Sequence, residues 1–198
     1  MTLLDRGIEV AMTVVLIVGG YQFYFWAQRR RWFQARYLET RLDALITYDP
    51  RWVWVYSGLY YPMIIIAALS VPTWDGYARA VGCYLSLLAV QVGFFLFLPV
   101  EIPAAWRTLW RGPWEGTLSQ RFLDFVWHFD KLRNSMPSMH VSVATMTDLV
   151  IAREWPTVGA FGILFPLLIA ASALKTKQHY VVDVVPGALL GALVFWMW

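Results

Sequence analysis

Four stretches of this chain run for about 20 residues without a charged side chain, and they constrain its fold more than any other feature. They are residues 10–27, 52–73, 80–100 and 155–174. A helix needs about 20 apolar residues to cross the hydrocarbon core of a bilayer. Each stretch is therefore predicted to be a membrane-spanning helix.

Two further apolar stretches are weaker, because one contains Asp148 and the other Asp183. Together the six predict an all-α fold, a bundle of six transmembrane helices that forms a single membrane domain over residues 1–198. The predicted spans are approximately residues 8–27, 52–73, 79–100, 137–153, 155–174 and 179–198. The composition agrees, since 59% of the residues are hydrophobic and 15% are charged, against about 45–50% and about 25% in soluble domains.

Other counts exclude several classes of protein. A single cysteine, Cys83, excludes an internal disulfide and a zinc site built from several thiolates. The net charge of +3 is too small to predict nucleic-acid binding, so no nucleic-acid partner is expected. The 12 tryptophans are typical of anchors at the membrane interface.

The segment after the first predicted span mixes aromatic and aliphatic side chains with Arg, Glu and Asp. Residues 30–48 read RRWFQARYLETRLDALITY. We expect an interfacial amphipathic helix there, which lies along the lipid headgroups instead of crossing the bilayer.

Consecutive spans alternate in direction, so three loops are predicted to share one side of the membrane. These loops, residues 28–51, 101–136 and 175–179, are called the loop face below. All but three of the 16 Lys and Arg residues belong to it. A basic surface at headgroup depth favours an anionic headgroup as ligand. Ordinary positive-inside topology also accounts for part of this bias.

The predicted start of the fourth span, with the sequence NSMPSMH, carries groups that suit an anion. Pro137 is favoured at the first position of a helix, and Asn134 or Ser135 is predicted to cap that helix. A helix N-terminus presents free backbone N–H groups and the positive end of the helix dipole, which together favour a phosphate. Ser138 adds a hydroxyl donor, and His140 lies within the first turn.

The predicted start of the sixth span, with the sequence KTKQHYVVD, carries a second histidine. His179 and Asp183 are four residues apart, so they lie on one helix face. A carboxylate bonded to one imidazole nitrogen fixes the tautomer and leaves the other nitrogen as a nucleophile or base. Lys175 and Lys177 supply positive charge just upstream.

Both segments open spans on the loop face, so His140 and His179 are predicted to converge around one anion. That set suits phosphoryl transfer through a covalent phosphohistidine. No cluster of carboxylates accompanies the two histidines, so a two-metal mechanism is not expected. The third histidine, His128, is interpreted as a loop residue outside the site.

These motifs resemble those of the type-2 phosphatidic acid phosphatase superfamily. Residues 137–140 resemble its Pro-Ser-x-His block, and the spacing of Ser172, His179 and Asp183 resembles its Ser-Arg-x₅-His-x₃-Asp block. With Asn134 three residues before the first block, the sequence is most similar to the branch that contains inositol phosphorylceramide synthases and their bacterial relatives.

The resemblance implies a role for each matching residue. His179 would attack the phosphorus, and Asp183 would orient His179. His140 would protonate the leaving oxygen and later activate the acceptor. Ser138 and the backbone amide of Met139 would hold the phosphoryl oxygens. Members of the superfamily need no metal, and neither a metal nor a cofactor is expected.

The sequence departs from the family pattern at its cations. Ala173 stands where the family has arginine, and the first family signature, Lys-x₆-Arg-Pro, does not occur. The phosphate-binding cations are therefore predicted among Lys175, Lys177, Arg107 and Arg133.

Three functions are open at this point. The chain is predicted to be a metal-independent lipid phosphatase that acts on a phospholipid or on a polyprenyl phosphate or pyrophosphate. A lipid headgroup phosphotransferase, similar to inositol phosphorylceramide synthase, uses the same first half-reaction. A non-catalytic lipid transporter or phospholipid-binding membrane protein is the alternative from another class. A lipid phosphate and the surrounding membrane lipids are the expected partners, and the oligomeric state stays open.

The chain is expected to be a multi-pass protein of a bacterial inner membrane, with its site at the membrane–water interface. The basic cluster at residues 29–31 places the loop face in the cytoplasm by the positive-inside rule. The family resemblance implies the periplasm or a lumen, so both orientations stay open.

Overall fold

The computed structural model describes residues 1–109, 111–159 and 162–198. The described residues are 73% helical and contain no β-strand, so the all-α prediction is confirmed. The α-helices are α1 (Leu3–Gln28), α2 (Arg41–Leu45), α3 (Tyr60–Ser70), α4 (Trp74–Phe97), α5 (Trp106–Leu109), α6 (Leu118–Phe129), α7 (Met139–Glu154), α8 (Pro156–Gly159), α9 (Leu164–Lys175) and α10 (Val181–Phe195). A 3₁₀ turn, Pro50–Trp52, and a π-helical turn, Trp54–Leu59, lead into α3.

Three helical segments are long and apolar enough to cross a membrane: Leu3–Gln28, Pro50–Ser70 and Trp74–Phe97. They coincide with the first three predicted spans. Helices α7, α9 and α10 have 16, 12 and 15 residues, which at about 1.5 Å per residue is shorter than a hydrocarbon core of about 30 Å. The count of six spans therefore stays a prediction.

The fifth predicted span, residues 155–174, is not one uninterrupted helix in the described residues. It contains the short helix α8 and then α9, which begins at Leu164. Residues 160 and 161 of that span lie outside the described residues.

The prediction of an amphipathic interfacial helix over residues 30–48 is wrong, because only Arg41–Leu45 is helical there. The backbone before α2 bonds to another segment of the loop face instead. The amide of Arg36 donates to the carbonyl of Pro99 at 3.0 Å, and the amide of Glu101 donates to the carbonyl of Arg36 at 2.9 Å. These bonds satisfy peptide groups that a helix would have paired internally.

Helix α7 lies at the centre of the bundle, in contact with α3, α4, α9 and α10. The side chains of Tyr60, Leu87, Met146 and Ile169 meet in the core around it and are almost completely buried. These contacts hold α7 from several sides, and with it the Pro-Ser-x-His motif at its start.

Two glycines let α10 approach α7 very closely. A Cβ atom at Gly187 would lie 2.7 Å from the carbonyl oxygen of Ser138, and one at Gly191 would overlap the carbonyl oxygen of Ser142. Small residues four apart permit this kind of backbone contact between membrane helices. The close contact holds the N-terminal ends of α7 and α10 side by side.

The three loops of the loop face contact one another, while their position on one side of a membrane stays a prediction. The amide of Asp49 donates to the carbonyl of Lys175 at 3.0 Å, which joins the first loop to the third. The guanidinium of Arg133 donates to the carbonyl of Phe33 at 2.8 Å, which joins the first loop to the second. The loops therefore form one cap over the ends of α7 and α10.

Candidate active site

The two motif histidines lie close together beneath this cap. The centroids of the His140 and His179 rings are 6.4 Å apart. His140 is in the first turn of α7, and His179 lies two residues before α10. The predicted convergence of the two segments is therefore present in the fold.

His179 is held through one ring nitrogen. Its Nδ1 lies 2.8 Å from the carbonyl oxygen of Ser135 and 3.3 Å from Oδ2 of Asp183. Both partners accept hydrogen bonds, so Nδ1 carries the proton and donates it. In this tautomer Nε2 has a free lone pair, which is what a nucleophile requires.

Asp183 is completely buried and organises the turn that carries His179. Its Oδ2 accepts hydrogen bonds from the hydroxyl of Ser135 and from the amide of Tyr180, the latter at 2.9 Å. The backbone carbonyl of Asp183 accepts from the amide of Ser138 at 3.1 Å. One aspartate thus links the second motif to the segment that precedes α7.

Ser138, and not Asn134, is the N-cap of α7. The helix begins at Met139, and the Ser138 hydroxyl oxygen accepts from the amide of Val141 at 3.4 Å. The predictions of Asn134 as the cap and of Pro137 as the first helical residue are therefore wrong. The cap bond uses the Ser138 oxygen as acceptor, so its hydroxyl proton can still be donated to a phosphate oxygen.

Asn134 bonds to the first helix instead of capping α7. Its backbone is left-handed, with φ of 71°, and its side-chain amide donates to the carbonyl of Tyr24 in α1 at 3.0 Å. Asparagine tolerates this conformation better than most residues. Asn134 therefore fixes the loop before α7 to the end of the first helix.

His140 has an aromatic partner that the motifs do not contain. Its Nδ1 lies 3.0 Å from the hydroxyl of Tyr56, and the two rings stack with centroids 4.0 Å apart. Tyr60 packs against the same imidazole, with ring centroids 4.6 Å apart. Tyr56 lies in the π-helical turn Trp54–Leu59, a feature frequent at functional sites. Its sequence context, an apolar span, gives no signal for this role.

A small cavity of about 10 Å³ lies beside His179. The residues that line it include Tyr56, Asp130, Arg133, Ser135 and Gln178. This volume is enough for about one water molecule, so a phosphate enters only if side chains at the cavity move. Within the described ranges, no three His, Cys, Asp or Glu side chains are grouped to hold a metal ion.

A family model of the PAP2 superfamily matches residues 25–197. The chain belongs to the PAP2 superfamily. The match includes both histidine motifs, and the superfamily consists in general of phosphatases and phosphotransferases. The comparisons with curated proteins and with solved structures found no match. The assignment to the inositol phosphorylceramide synthase-like branch stays a prediction.

Two of the four predicted cations of this PAP2 protein bind the first loop. The ammonium of Lys175 donates to the hydroxyl of Thr47 at 2.8 Å. The ammonium of Lys177 donates to the carbonyls of Asp43 and Ile46 at 2.8 and 2.7 Å. Burial lowers the pKa of Lys177, and the nearby carboxylate of Asp43 opposes that shift. The structure therefore places both lysines as ties between loops, and their phosphate-binding role stays a prediction.

Arg107 pairs with a carboxylate. Its guanidinium bonds to both the side chain and the carbonyl of Asp130 and lies 5.2 Å above the ring of Trp127. Burial raises the pKa of Asp130, while the charge of Arg107 acts in the opposite direction. In the orientation that satisfies its amide, Gln178 also donates to Asp130, at 2.9 Å.

Arg133 is the predicted cation that borders the cavity beside His179. It is 4% exposed, and it donates to Glu101 at 2.9 Å and to the carbonyl of Phe33. Its Nε–H has no hydrogen-bond partner among the described residues. Of the four cations, Arg133 therefore has the position and the open donor that best suit a phosphate oxygen.

The N-terminus of α10 is capped from a distant part of the PAP2 chain. Oδ1 of Asp43 in α2 accepts from the amide of Val181, the first residue of α10, at 2.7 Å. The carboxylate also faces the positive end of that helix dipole. Sequence reasoning missed this residue, because its partner lies 138 positions away.

Proposed function

We propose that this PAP2 protein is a metal-independent lipid phosphate phosphatase of a membrane, with a phosphohistidine intermediate at His179. The observation that carries the proposal is the 6.4 Å separation of the His140 and His179 rings. A reacting phosphorus lies about 3–3.5 Å from its nucleophile, and a proton donor lies about 2.6–3.2 Å from the leaving oxygen. Once side chains at the cavity beside His179 move to admit a phosphate ester, both imidazoles can reach it from this separation.

In the first step, Nε2 of His179 attacks the phosphorus and forms the N–P bond. The bond from phosphorus to the ester oxygen breaks, and His140, which carries a proton on both ring nitrogens before this step, donates its Nε2 proton to that oxygen. Its Nδ1–H donates to the hydroxyl oxygen of Tyr56, so the imidazole that remains after the transfer is neutral. The lipid alcohol leaves, and the phosphoryl group stays on His179.

In the second step, water attacks the phosphohistidine. His140 now lacks its Nε2 proton and accepts one from the attacking water. The N–P bond breaks, inorganic phosphate leaves, and both histidines return to their starting states. The negative charge that develops on the phosphoryl oxygens faces the Ser138 hydroxyl, the first amides of α7 and the Nε–H of Arg133, which suits stabilisation by fixed donors.

The proposal is tested with purified protein in detergent or nanodiscs and a panel of phosphorus-labelled phosphatidates and polyprenyl phosphates or pyrophosphates. The wild-type protein is expected to release phosphate in the presence of EDTA and to form an acid-labile phosphoenzyme. His179→Ala is expected to abolish both. His140→Ala is expected to retain some phosphoenzyme formation but to slow its hydrolysis, because His179 is still present.

His128→Ala is the matched control, because it removes a histidine that is outside the cavity beside His179. Retained turnover in His179→Ala would contradict the proposal. A failure of vanadate, a mimic of the phosphoryl transition state, to inhibit the protein or to bind near His179 would instead favour the lipid transporter or lipid-binding alternative.

A headgroup phosphotransferase is the second candidate, and one observation favours it. A polar pocket of about 320 Å³ lies next to the cavity beside His179, and Arg133 borders both. Arg31, Tyr37 and Glu101 contribute to its wall. The carboxylate of Glu101 and the two arginines of the wall offer both hydrogen-bond acceptors and donors, which suits a hydroxylated acceptor in place of water.

The two candidates differ only in the acceptor of the second step. Labelled lipid is incubated with and without glycerol, inositol or ceramide, and the products are separated. Inorganic phosphate as the labelled product in every reaction supports the phosphatase. A labelled phosphate monoester of one added alcohol supports the transferase, and Glu101→Gln is then expected to lower its yield relative to inorganic phosphate.

A further inference from the structure

An apolar cavity of about 110 Å³ lies inside the bundle, between α1, α3, α4 and α7. Residues of all four helices line it, among them Gly20, Ala67, Val81 and Val143. It is of the same order as an engineered apolar cavity of about 150 Å³ that binds benzene. The proposed phosphoryl transfer does not use this space.

The cavity is elongated along the helices. On α7 its wall extends from Met139 to Val150, which at about 1.5 Å per residue is roughly 16 Å. That length is about half of a hydrocarbon core of about 30 Å. Thr13 and Tyr77 also line the cavity, and their hydroxyls bond to each other at 3.1 Å, so neither hydroxyl needs a polar ligand.

One end of the cavity adjoins the candidate active site. Met139 lines the cavity and directly precedes His140 in the chain. Tyr60 lines the cavity as well, and its ring packs against the imidazole of His140 with centroids 4.6 Å apart. A molecule that occupies the cavity therefore has its near end beside the proton donor of the proposed reaction.

We propose that this cavity binds the first several carbons of one hydrocarbon chain of the lipid phosphate substrate, a proposal that rests on the proposed function. That part of the chain enters beside His140, lies along α7 and holds the phosphoester between the two histidines. A lipid tail is already out of water in a bilayer, so the cavity contributes through fit and position more than through the hydrophobic effect. The enzyme therefore selects substrates by the chain as well as by the phosphate.

Adjacent glycines of α1 provide the test. A Cβ at Gly20 would lie 3.5 Å from Leu88 on the wall of the cavity, whereas Gly19 is not part of the wall and its Cβ would have no neighbour within 4 Å. Gly20→Leu places a side chain in the cavity, and Gly19→Leu makes the same change outside it. Val81→Phe fills the cavity from α4, and it replaces Gly20→Leu in the test if that variant does not fold.

Turnover is compared for dipalmitoyl phosphatidate and for glycerol phosphate, a water-soluble ester without a hydrocarbon chain. Gly20→Leu and Val81→Phe are expected to lower kcat/KM for the long-chain lipid by about tenfold or more, since even one methylene in an apolar pocket changes specificity by about 10–200-fold. Both variants are expected to keep the activity on glycerol phosphate within about twofold, because the phosphoryl-transfer groups are unchanged. Gly19→Leu is expected to match the wild-type protein on both substrates.

Equal losses on both substrates, or no loss on either by a folded cavity variant, would overturn the proposal. A binding measurement separates this failure from a failure of the proposed function. Hexadecyl phosphate is expected to raise the thermal unfolding temperature of the wild-type protein and of Gly19→Leu, but not that of Gly20→Leu. If the unfolding temperatures shift in this way but the protein hydrolyses no phosphate ester, the phosphatase proposal is refuted and the chain-binding proposal stands. If hexadecyl phosphate does not raise the unfolding temperature of the wild-type protein, the chain-binding proposal is refuted.

Discussion

The imidazole of His179 donates to the backbone carbonyl of Ser135 at 2.8 Å, a shorter contact than the 3.3 Å to Asp183. The carbonyl belongs to the segment just before α7, so the first motif region orients the proposed nucleophile of the second. No side-chain substitution removes this acceptor. Asp183 therefore acts mainly through its charge and through the turn that it holds together.

We expect Asp183→Asn to reduce phosphoenzyme formation but not to abolish it. In a serine–histidine–aspartate triad the same change costs about 10⁴-fold, because the histidine takes the wrong tautomer. Here the carbonyl of Ser135 preserves the tautomer of His179, so we expect a smaller decrease in the rate. A general acid or base contributes at least about 10²-fold to a rate, and the decrease should lie near that value. Rapid-quench measurement of the labelled phosphoenzyme gives the rate.

Ser135→Ala is the matched control for this prediction. It removes the hydroxyl that bonds to Asp183 but keeps the carbonyl that accepts from His179. A single hydrogen bond contributes about 0.5–1.5 kcal/mol, so a loss of less than about tenfold is expected. A loss in Ser135→Ala as large as that in Asp183→Asn would show that the hydroxyl, and not the carboxylate charge, is the important group.

Tyr56→Phe is expected to lower kcat with little change in KM, because the hydroxyl positions His140 and the retained ring still stacks on it. The loss of one hydrogen bond of about 0.5–1.5 kcal/mol corresponds to about a two- to tenfold decrease. The pH profile of kcat is expected to move, since the hydroxyl contacts a titrating nitrogen. Tyr61→Phe loses a hydroxyl that bonds only to Tyr21 in the described structure, and it should leave the profile in place.

The two histidine motifs could be predicted from the sequence because their chemistry depends on short, fixed spacings. His179 and Asp183 share one turn, and His140 follows its helix start directly. Tyr56 could not be predicted, since its partner is 84 positions away and tyrosine is common at membrane interfaces. The local pattern thus located the two histidines but not the groups that hold them.

The predicted cations and the first loop also show that a local sequence pattern does not determine long-range contacts. The charged residues of 30–48 favoured an amphipathic helix, yet only Arg41–Leu45 is helical, and the backbone of Arg36 bonds to Pro99 and Glu101. Lys177 was predicted to bind phosphate because it precedes His179, but its ammonium lies on the carbonyls of Asp43 and Ile46. Sequence proximity does not determine side-chain direction when several loops compete for one cation.

Gly191→Ala is expected to lower both stability and activity, because the added methyl group would overlap the backbone of Ser142 and push α10 away from α7. Overpacking of this kind costs about 1–3 kcal/mol. The separation of His140 from His179 would grow with the helix separation, so kcat should fall as well. Thermal unfolding in detergent and turnover are measured on the same sample.

Gly82→Ala is the control for Gly191→Ala. It makes the same substitution within α4, where a Cβ would have no neighbour within 4 Å. Alanine is favoured over glycine in a helix by about 0.5–1 kcal/mol, so this variant should be slightly more stable and fully active. Equal behaviour of the two variants would contradict the close-packing interpretation of the α7–α10 contact.

Asp43→Ala is expected to lower activity although Asp43 lies outside the cavity beside His179. The substitution removes the cap on the amide of Val181 and leaves the first turn of α10, which follows His179, without its anchor. Loss of a helix cap costs about 0.5–2 kcal/mol, which should appear as a lower unfolding temperature.

Asp49→Asn is the control for Asp43→Ala, because it also removes a carboxylate from the first loop. The carboxylate of Asp49 pairs with exposed Arg51, and such a surface pair contributes about 0–1 kcal/mol. A fall in kcat for Asp43→Ala with no change for Asp49→Asn would locate the effect at α10, whereas equal effects would assign it to the charge of the loop face.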